Sequence, residues 1–396
     1  MNRKLIITKI EQKIWTCLYE NELLAELHCI SIDRDCDKFS LGNIYVGKVK
    51  KVVSNINAAF IEIADGVECY YSITENPKPI FTQKIGKKPL CVGDEILVQI
   101  TKEALKTKVP TVSSKLSFTG KYAVLTYGDT RVGVSSKIPK EEKEHFMKIA
   151  KPFASDEYGI IIRTNAHDIK SERIESEIKE LINEYNHVTA SAHTRVCFSW
   201  LKVAPKAYLT ELRNLYQEEL TEIIIEDNEV YDEVKQFLEK DQAEVLKKLR
   251  FYNDSLLPLH KLYNIEKCIA NALKEQVWLK SGAYLVIQPT EALTVIDVNT
   301  GKCVSKKADE NAILKINLEA ATECARQIRL RNLSGIIIID FINLNSEEHM
   351  KQLLEKLTYE LSKDSVTTTL VDVTKLQLIE ITRKKVRKPL HEAIRD

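Results

Sequence analysis

The fold prediction depends on two short segments in the second half of the chain, TVIDVNTG at residues 294–301 and GIIIIDFINLN at residues 335–345. Each segment starts with β-branched apolar residues, which favour a strand. Each strand then reaches an aspartate, Asp297 in the first segment and Asp340 in the second. Residues 310–331 between them have the spacing of a long helix. Strands that alternate with helices predict an α/β sheet with covered faces.

The two aspartates fall at the carboxyl ends of their strands, where ligands bind to open α/β sheets. If the strands are neighbours, the carboxylates of Asp297 and Asp340 converge, and close like charges raise the pKa of one of them. A Mg²⁺ ion removes this cost, because it binds one or two carboxylates and takes water and substrate phosphate as further ligands. Asn299 lies on the same side of its strand and could add a carbonyl or orient a water. Periodicity alone leaves an alternative open, in which each aspartate caps the turn or helix that follows it.

The composition sets broad limits on the class of protein. The 396 residues are enough for two to four domains, and the net charge of +1 neither requires nor excludes an anionic partner. The nine cysteines include no CxxC pair, which predicts reduced thiols in a cytoplasmic protein. The charged N-terminus and the lack of an apolar run of about 18 residues predict that the chain has no membrane span.

The first half of the chain predicts small β-rich modules. Strands are expected at residues 5–8, 14–18 and 23–30. Five short strands over roughly 75 residues from Leu41 predict a small OB-type barrel, whose exposed aromatic and lysine side chains could stack bases and meet phosphates. Residues 118 to 205 mix strands with a helical spacing and predict an α+β module.

Several candidate RNA contacts have two interpretations each. Phe60 and Tyr70 are either a stacking platform or barrel core. Three lysines are either phosphate contacts or a solvated charge run: Lys102, Lys106 and Lys108. The pair Arg163-Thr164 at a strand end could clamp a phosphate or lie on the surface. The basic stretch 382–389 suits a phosphodiester backbone, but is equally a helix face or a tail.

The sequence as a whole resembles the ribonuclease E/G family, the bacterial endoribonucleases of mRNA decay and rRNA maturation. The resemblance is carried in order by GNIYVGKVKKVVSNINAAFIEI, KTKVPTVSSKLSFTGKY, VGVSSKI, GIIIRTNA, SGAYLVIQPTEALTVIDVNTGK, NLEAATECARQIRLRNLSGIIIIDFI and LIEITRKKVR. It implies an α/β multidomain protein in which an RNase H-like fold carries an inserted OB-type barrel. The implied domains are a first RNase H-like segment (1–40), an OB-type RNA-binding domain (41–115), an α+β 5′-sensor module (116–207), a second RNase H-like segment (208–274) and a DNase I-like catalytic domain (275–396).

The resemblance also implies roles for individual residues. Asp297 and Asp340 would hold the catalytic Mg²⁺, and Asn299 would assist them. The remaining implied roles are RNA binding for Phe60, Tyr70 and Lys108, and recognition of a 5′-monophosphate for Arg163 and Thr164.

Three departures from the family pattern affect these expectations. Asn343 replaces the second acid of the usual D-F-I-D segment, and Lys375 replaces an arginine that would bind bidentately. The family's CPxC zinc link does not occur before the chain ends at Asp396. We therefore expect any homodimer not to be zinc-linked.

The resulting expectation is a Mg²⁺-dependent endoribonuclease of the cytoplasm. It would cleave single-stranded RNA with a preference for a 5′-monophosphate end and leave 5′-phosphate and 3′-hydroxyl ends. The alternative is a non-catalytic RNA-binding protein on the same scaffold, which Asn343 and the missing zinc link favour. The presence of Asp297, Asn299 and Asp340 argues for the enzyme.

Overall fold

A computed structural model of the protein describes residues 2–32, 39–104, 109–215, 220–241, 243–301 and 310–395. The chain forms two compact units, the first from residues 1–32 and 215–396 and the second from residues 33–214. No helix within the described ranges is both long enough and apolar enough to cross a membrane. The seven cysteines in those ranges carry free thiols.

Strands form four sheets within the described residues. In chain order they are β1 (Arg3–Ile10), β2 (Lys13–Glu20), β3 (Leu23–Ser31), β4 (Ile44–Val53), β5 (Ala58–Ala64), β6 (Val67–Ser72), β7 (Phe81–Gln83), β8 (Glu95–Lys102), β9 (Thr111–Ser113), β10 (Ser117–Thr119), β11 (Ala123–Tyr127), β12 (Gly133–Val134), β13 (Tyr158–Ile162), β14 (Trp200–Lys202), β15 (Leu220–Ile225), β16 (Leu249–Phe251), β17 (Gln276–Trp278), β18 (Tyr284–Pro289), β19 (Leu293–Asn299), β20 (Gly335–Asp340), β21 (Thr368–Val373) and β22 (Ile379–Arg383).

The helices of the described residues are, in chain order, α1 (Lys140–Ala150), α2 (Ser171–Ala192), α3 (Ala207–Asn214), α4 (Asn228–Asp241), α5 (Ala243–Leu246), α6 (Leu259–Leu262), α7 (Ile265–Ala272), α8 (Glu310–Leu330), α9 (Glu347–Ser362) and α10 (Leu390–Ala393). Short 3-10 turns lie at Ser54–Ile56, Lys151–Phe153 and Thr164–Ala166.

The first unit contains a five-stranded sheet in the order β16-β15-β1-β2-β3. β1 is parallel to β15 and antiparallel to β2. Apolar side chains make this sheet a core element, because Leu5, Ile6 and Ile7 in the middle of β1 are almost fully buried. A buried ion network ties α8 to the sheet, since Arg329 Nη2 lies 2.8 Å from Glu20 Oε1.

The second sheet of the first unit has six strands in the order β17-β18-β19-β20-β22-β21. β19 and β20 are parallel neighbours, while β18 and β22 flank them in antiparallel pairing. The strand at 336–340 and the helices on either side of it are therefore confirmed. Both α8 and α9 contribute buried residues to the core on which this sheet packs.

The prediction that both faces of this sheet are covered is wrong for the described residues. In β20, Ile337 and Ile339 are fully buried in the helix-covered core, but Ile336 is 49% exposed and Ile338 is half-buried. The reason is that α8 and α9, which follow β19 and β20, pack on the same face of the sheet. The opposite face is open, and it carries the alternate side chains of each strand.

The second unit contains a closed five-stranded barrel. Its strands pair in the order β4-β5-β6-β9-β8, and a further pairing of β8 with β4 closes the ring. Alternate side chains fill the interior, among them Ile61, Ile63 and Tyr71. The five-stranded barrel predicted for this region is thus confirmed. β14 and β7 extend its sheet at the edges.

A four-stranded sheet in the order β10-β11-β13-β12 forms the other layer of the second unit. The buried faces of α1 and α2 cover it, with Phe146 from α1 and Ile174, Ile178 and Tyr185 from α2 in one core. This arrangement confirms a mixed module of strands and helices after the barrel. Arg163 and Thr164 follow directly after β13.

Candidate active site

Asp297 and Asp340 lie opposite each other on neighbouring parallel strands. They are paired in register at the carboxyl ends of β19 and β20, so both side chains stand on the open face of the sheet. Asn299 shares that face, and its Nδ2 donates a hydrogen bond of 2.6 Å to Asp297 Oδ2. The structure therefore brings together all three residues that the sequence predicts for the catalytic site.

The capping alternative for the two aspartates does not hold. Helix α9 is capped by Ser346, whose side chain accepts from the backbone N–H of His349. Among the described residues, no backbone N–H donates to the carboxylate of Asp297 or of Asp340. Neither aspartate therefore caps a turn or a helix within the described part of the chain.

The electrostatics of this pair suit a bound cation. Partial burial and then the charge of Asp297 raise the pKa of Asp340 above its usual value. Neither carboxylate forms an ion pair with a lysine or arginine of the described ranges. Two close carboxylates without a positive partner repel each other, and a hard divalent cation removes that repulsion.

The site offers few protein ligands, which suits Mg²⁺ better than a metal ion that needs all its ligands from the protein. No cluster of three or more His, Cys, Asp or Glu side chains suited to a metal occurs in the stretches of chain that the structure describes. The site supplies two carboxylates and one nearby carboxamide. This is the small ligand number that Mg²⁺ accepts, with water and phosphate oxygens as its other ligands.

Sequence reasoning missed Asn317, a buried residue of α8 that supports this site. Its side chain is fully buried. Its Nδ2 donates 2.7 Å to the carbonyl of Ile342, and its Oδ1 accepts 3.1 Å from the N–H of the same residue. These two bonds hold the backbone two residues beyond Asp340. The signal was present as an asparagine at a core position of the helix, three residues after Leu314 and three before Ala320.

Two residues that depart from the family pattern, Asn343 and Lys375, are exposed to solvent. Asn343 is exposed in the segment after β20, and Lys375 is exposed between β21 and β22. Neither replaces one of the two facing carboxylates.

Arg163 and Thr164 are adjacent at the end of β13 but already engage other groups of the second unit. Arg163 Nη1 donates 2.6 Å to the carbonyl of Gly120, and Nη2 donates 2.8 Å to Asn214 Oδ1. Thr164 Oγ1 lies 2.8 Å from Ser135 Oγ. A guanidinium has five donors, so these two bonds leave N–H groups for a phosphate.

Burial lowers the pKa of Arg163, and a buried carboxylate, Glu177, supports the chain beside it. Desolvation, and then the charge of Arg213, lower the pKa of Arg163 to about 10, so the guanidinium stays charged at neutral pH. Glu177 lies close by and was not predicted. Its carboxylate accepts three backbone N–H bonds of 2.7–3.0 Å, from Lys121, Tyr122 and Ala123. These bonds fix the chain beside Gly120, to which Arg163 donates.

Phe60 and Tyr70 form a cross-strand pair on the outside of the barrel. They are directly opposite on β5 and β6, with ring centroids 6.4 Å apart and planes at 82°. The barrel interior is filled by the alternate residues of these strands, such as Ile61 and Tyr71. The core interpretation is therefore wrong, and both rings lie on the outer surface.

Positively charged residues flank this aromatic pair in the strand register. Lys51 lies opposite Phe60, while Thr111 lies opposite Tyr70 and also opposite Lys102. The two other lysines of the predicted group, Lys106 and Lys108, lie outside the described residues.

The basic stretch 382–389 is only partly available for contact with RNA. Arg383 is buried, and its Nε lies 2.7 Å from Asp364 Oδ2. Its Nη1 also donates to Asn332 Oδ1. Within this stretch Arg383 is therefore not available to a phosphate, because β22 carries its side chain into the protein interior. Lys384 and Lys385 after it are exposed.

Known proteins resemble this chain along almost its whole length. The sequence model of the Ribonuclease E/G family matches residues 117–386. Ribonuclease G of Haemophilus influenzae is 33% identical over 401 residues, which cover 98% of this chain and 80% of that protein. Ribonuclease G of Escherichia coli K12 is 31% identical over 409 residues, which cover 100% and 82%. Ribonuclease E of Synechocystis is 32% identical over 359 residues, which cover 89% and 53%.

These matches span both units of the fold and include the two strands that carry Asp297 and Asp340. The chain belongs to the Ribonuclease E/G family. The resemblance predicted from the sequence motifs is thereby confirmed.

Proposed function

We propose that this protein is a Mg²⁺-dependent endoribonuclease that cleaves single-stranded RNA in rRNA maturation and mRNA turnover. Membership of the Ribonuclease E/G family makes it an RNA-cleaving hydrolase. One observation carries the metal dependence: Asp297 and Asp340 face each other in register on adjacent strands. In addition, no cation among the described residues neutralises them.

The residues of the site would divide the work as follows. Asp297 and Asp340 would hold the ion, and the hydrogen bond from Asn299 would keep the Asp297 carboxylate in one orientation. A bound Mg²⁺ supplies charge stabilisation at a phosphate and activation of a water. Asn317 would keep the backbone beyond Asp340 in place. Cleavage would leave 5′-phosphate and 3′-hydroxyl ends.

We further propose that Arg163 and Thr164 recognise a 5′-monophosphate. The guanidinium is charged at neutral pH and is largely desolvated, which strengthens its attraction to a phosphate. The hydroxyl of Thr164 lies beside it in sequence and can donate to the same group. The bonds from Arg163 to Gly120 and Asn214 hold the fork in one orientation before RNA binds.

Contacts with the body of the RNA are assigned to the outer barrel surface. Phe60 and Tyr70 present two rings for base stacking, and Lys51 and Lys102 flank them. Lys108 belongs to the same proposal. Three further expectations also remain proposals. They are the division into RNase H-like, OB-type, 5′-sensor and DNase I-like domains, a homodimer without a zinc link, and a cytoplasmic location.

The metal site is tested by Asp297→Asn and Asp340→Asn, with Asp372→Asn as a control at an exposed position of the same sheet. The substrate is a 5′-monophosphorylated, A/U-rich oligonucleotide with and without Mg²⁺. We expect wild type and control to cleave only with Mg²⁺, and each site variant to lose more than about 100-fold, because even outer partners of a metal are worth 10–100-fold. Full activity in both site variants, with unchanged thermal unfolding, would exclude this site.

The 5′-end proposal is tested by comparing 5′-monophosphate and 5′-hydroxyl forms of the same RNA. Arg163→Ala should remove the preference, while Arg131→Ala, at an exposed arginine of the same unit, should keep it. An unchanged preference in Arg163→Ala would contradict the assignment. If wild type binds the RNA but does not cleave it under any of these conditions, the non-catalytic alternative is correct.

A further inference from the structure

Two aromatic side chains lie on the open face of the six-stranded sheet that carries Asp297 and Asp340. They do not pack into its core. Trp278 of β17 and Tyr284 of β18 are cross-strand partners, with ring centroids 5.1 Å apart and planes at 54°. Trp278 is 63% exposed and Tyr284 is half-buried. Tryptophan is a residue type that proteins usually keep highly buried. An exposed tryptophan in contact with a second ring therefore calls for a function.

The core of the sheet does not use these rings. Val277, Leu279, Ala283 and Leu285, which alternate with them in sequence, pack against the helix-covered side. The rings consequently stand on the other side, the same side as the two carboxylates.

The strand register places the aromatic pair next to the proposed metal site. Tyr284 lies directly opposite Asn299, and Asp297 is the diagonal neighbour of Tyr284 across the same two strands. Diagonal neighbours in an antiparallel pair are about 7–8 Å apart. A phosphate held at Asp297 and Asp340 would thus have its flanking nucleotide within reach of the rings.

We propose that Trp278 and Tyr284 form a stacking subsite for the base of a nucleotide adjacent to the scissile phosphate. The proposal rests on the proposed function, since it is the carboxylate pair that locates the scissile phosphate. The ligand is an unpaired base, because its flat face can lie on exposed aromatic rings as in other single-strand binding sites. Such stacking accepts every base, so this subsite would position the RNA and exclude base-paired substrate without selecting a sequence.

The test combines variants of the protein with abasic positions in the RNA. Trp278→Ala removes the exposed ring, and Trp278→Phe keeps an aromatic surface. Tyr359→Ala is the matched control, because Tyr359 is 61% exposed on α9, on the helix side of the same sheet. Binding of a single-stranded oligonucleotide is measured in EDTA, so that it does not depend on cleavage. KM and kcat are measured with Mg²⁺.

We expect Trp278→Ala to weaken binding and to raise KM by about 5- to 150-fold, the equivalent of about 1–3 kcal/mol for one stacked base. Trp278→Phe should lose less, and Tyr359→Ala should behave as wild type. In wild type, one abasic position beside the cleavage site should weaken binding by a similar factor. In Trp278→Ala the same abasic position should add little, since the two changes remove one interaction.

Two results would overturn the subsite. One is wild-type affinity and KM in Trp278→Ala, and the other is an additive effect of Trp278→Ala with every abasic position. The proposed function fails in a different way, through absence of Mg²⁺-dependent cleavage in wild type. If Trp278→Ala loses RNA binding and wild type does not cleave RNA at all, the stacking subsite is supported and the proposed nuclease function is refuted.

Discussion

Replacing Asn317 by leucine should damage both the stability of the first unit and the proposed active site at Asp297 and Asp340. The substitution keeps the branched shape and the number of heavy atoms of the buried side chain but removes the donor and the acceptor that pair with Ile342. A buried backbone group left without a partner costs about 1–3 kcal/mol. Ile342 is partly exposed, so each of its two groups falls in the lower half of that range. We expect Asn317→Leu to lower the free energy of unfolding by about 2–4 kcal/mol.

The same change should lower cleavage beyond its effect on folding. The backbone of Ile342 is two residues from Asp340, so its release loosens one of the two facing carboxylates. The assay is urea unfolding combined with Mg²⁺-dependent cleavage at a temperature where the variant remains folded. Lys315→Leu is the matched control, because it places the same side chain at an exposed position of the same helix. If Asn317→Leu loses less than about 0.5 kcal/mol of unfolding free energy and keeps the wild-type kcat, the role assigned to the two Asn317 hydrogen bonds is refuted.

Three further predictions concern other regions of the fold. Phe60→Ala should weaken single-stranded RNA binding by about 5- to 150-fold in a gel-shift assay, with little change in thermal unfolding because the ring lies outside the barrel core. Burial raises the pKa of Glu177, which favours its protonated form in the fold. Stability of the wild type relative to Glu177→Gln should therefore fall as the pH rises from the ordinary carboxyl pKa of 4.5 through the raised value; parallel unfolding curves across that range would contradict this. Asp364→Ala should cost about 3–5 kcal/mol in denaturant unfolding, because it leaves the buried Arg383 guanidinium without its carboxylate partner; a loss below about 1 kcal/mol would show that the ion pair is dispensable.

Sequence patterns were sufficient for much of the six-stranded sheet that carries Asp297 and Asp340. The strand that ends on Asp340, the helices before and after it and the four longer barrel strands follow from local periodicity, which depends only on neighbouring residues. Patterns failed where elements are short. β17 has three residues, too few for an alternation to be visible, so Trp278 was not recognised. β22 was hidden in a basic stretch, although it inserts between β20 and β21.

The side of the sheet that each residue occupies was a harder question. Four consecutive isoleucines before Asp340 predict burial on both faces, yet half of that strand faces the open side. A strand cannot show in its own sequence how many helices will cover it. The answer depends on α8 and α9 packing on the same face, which is a property of the whole unit.

The sequence by itself determined the family, the two acid-ended strands and the residue types of each proposed site, because motifs and periodicity are local. The tertiary structure alone decided which residues meet. Register between β19 and β20 aligned Asp297 with Asp340. Closure of the barrel put Phe60 and Tyr70 outside its core. Arg163 obtained partners 43 and 51 residues away in the chain. These contacts follow from pairing and packing over long separations, which no local pattern records.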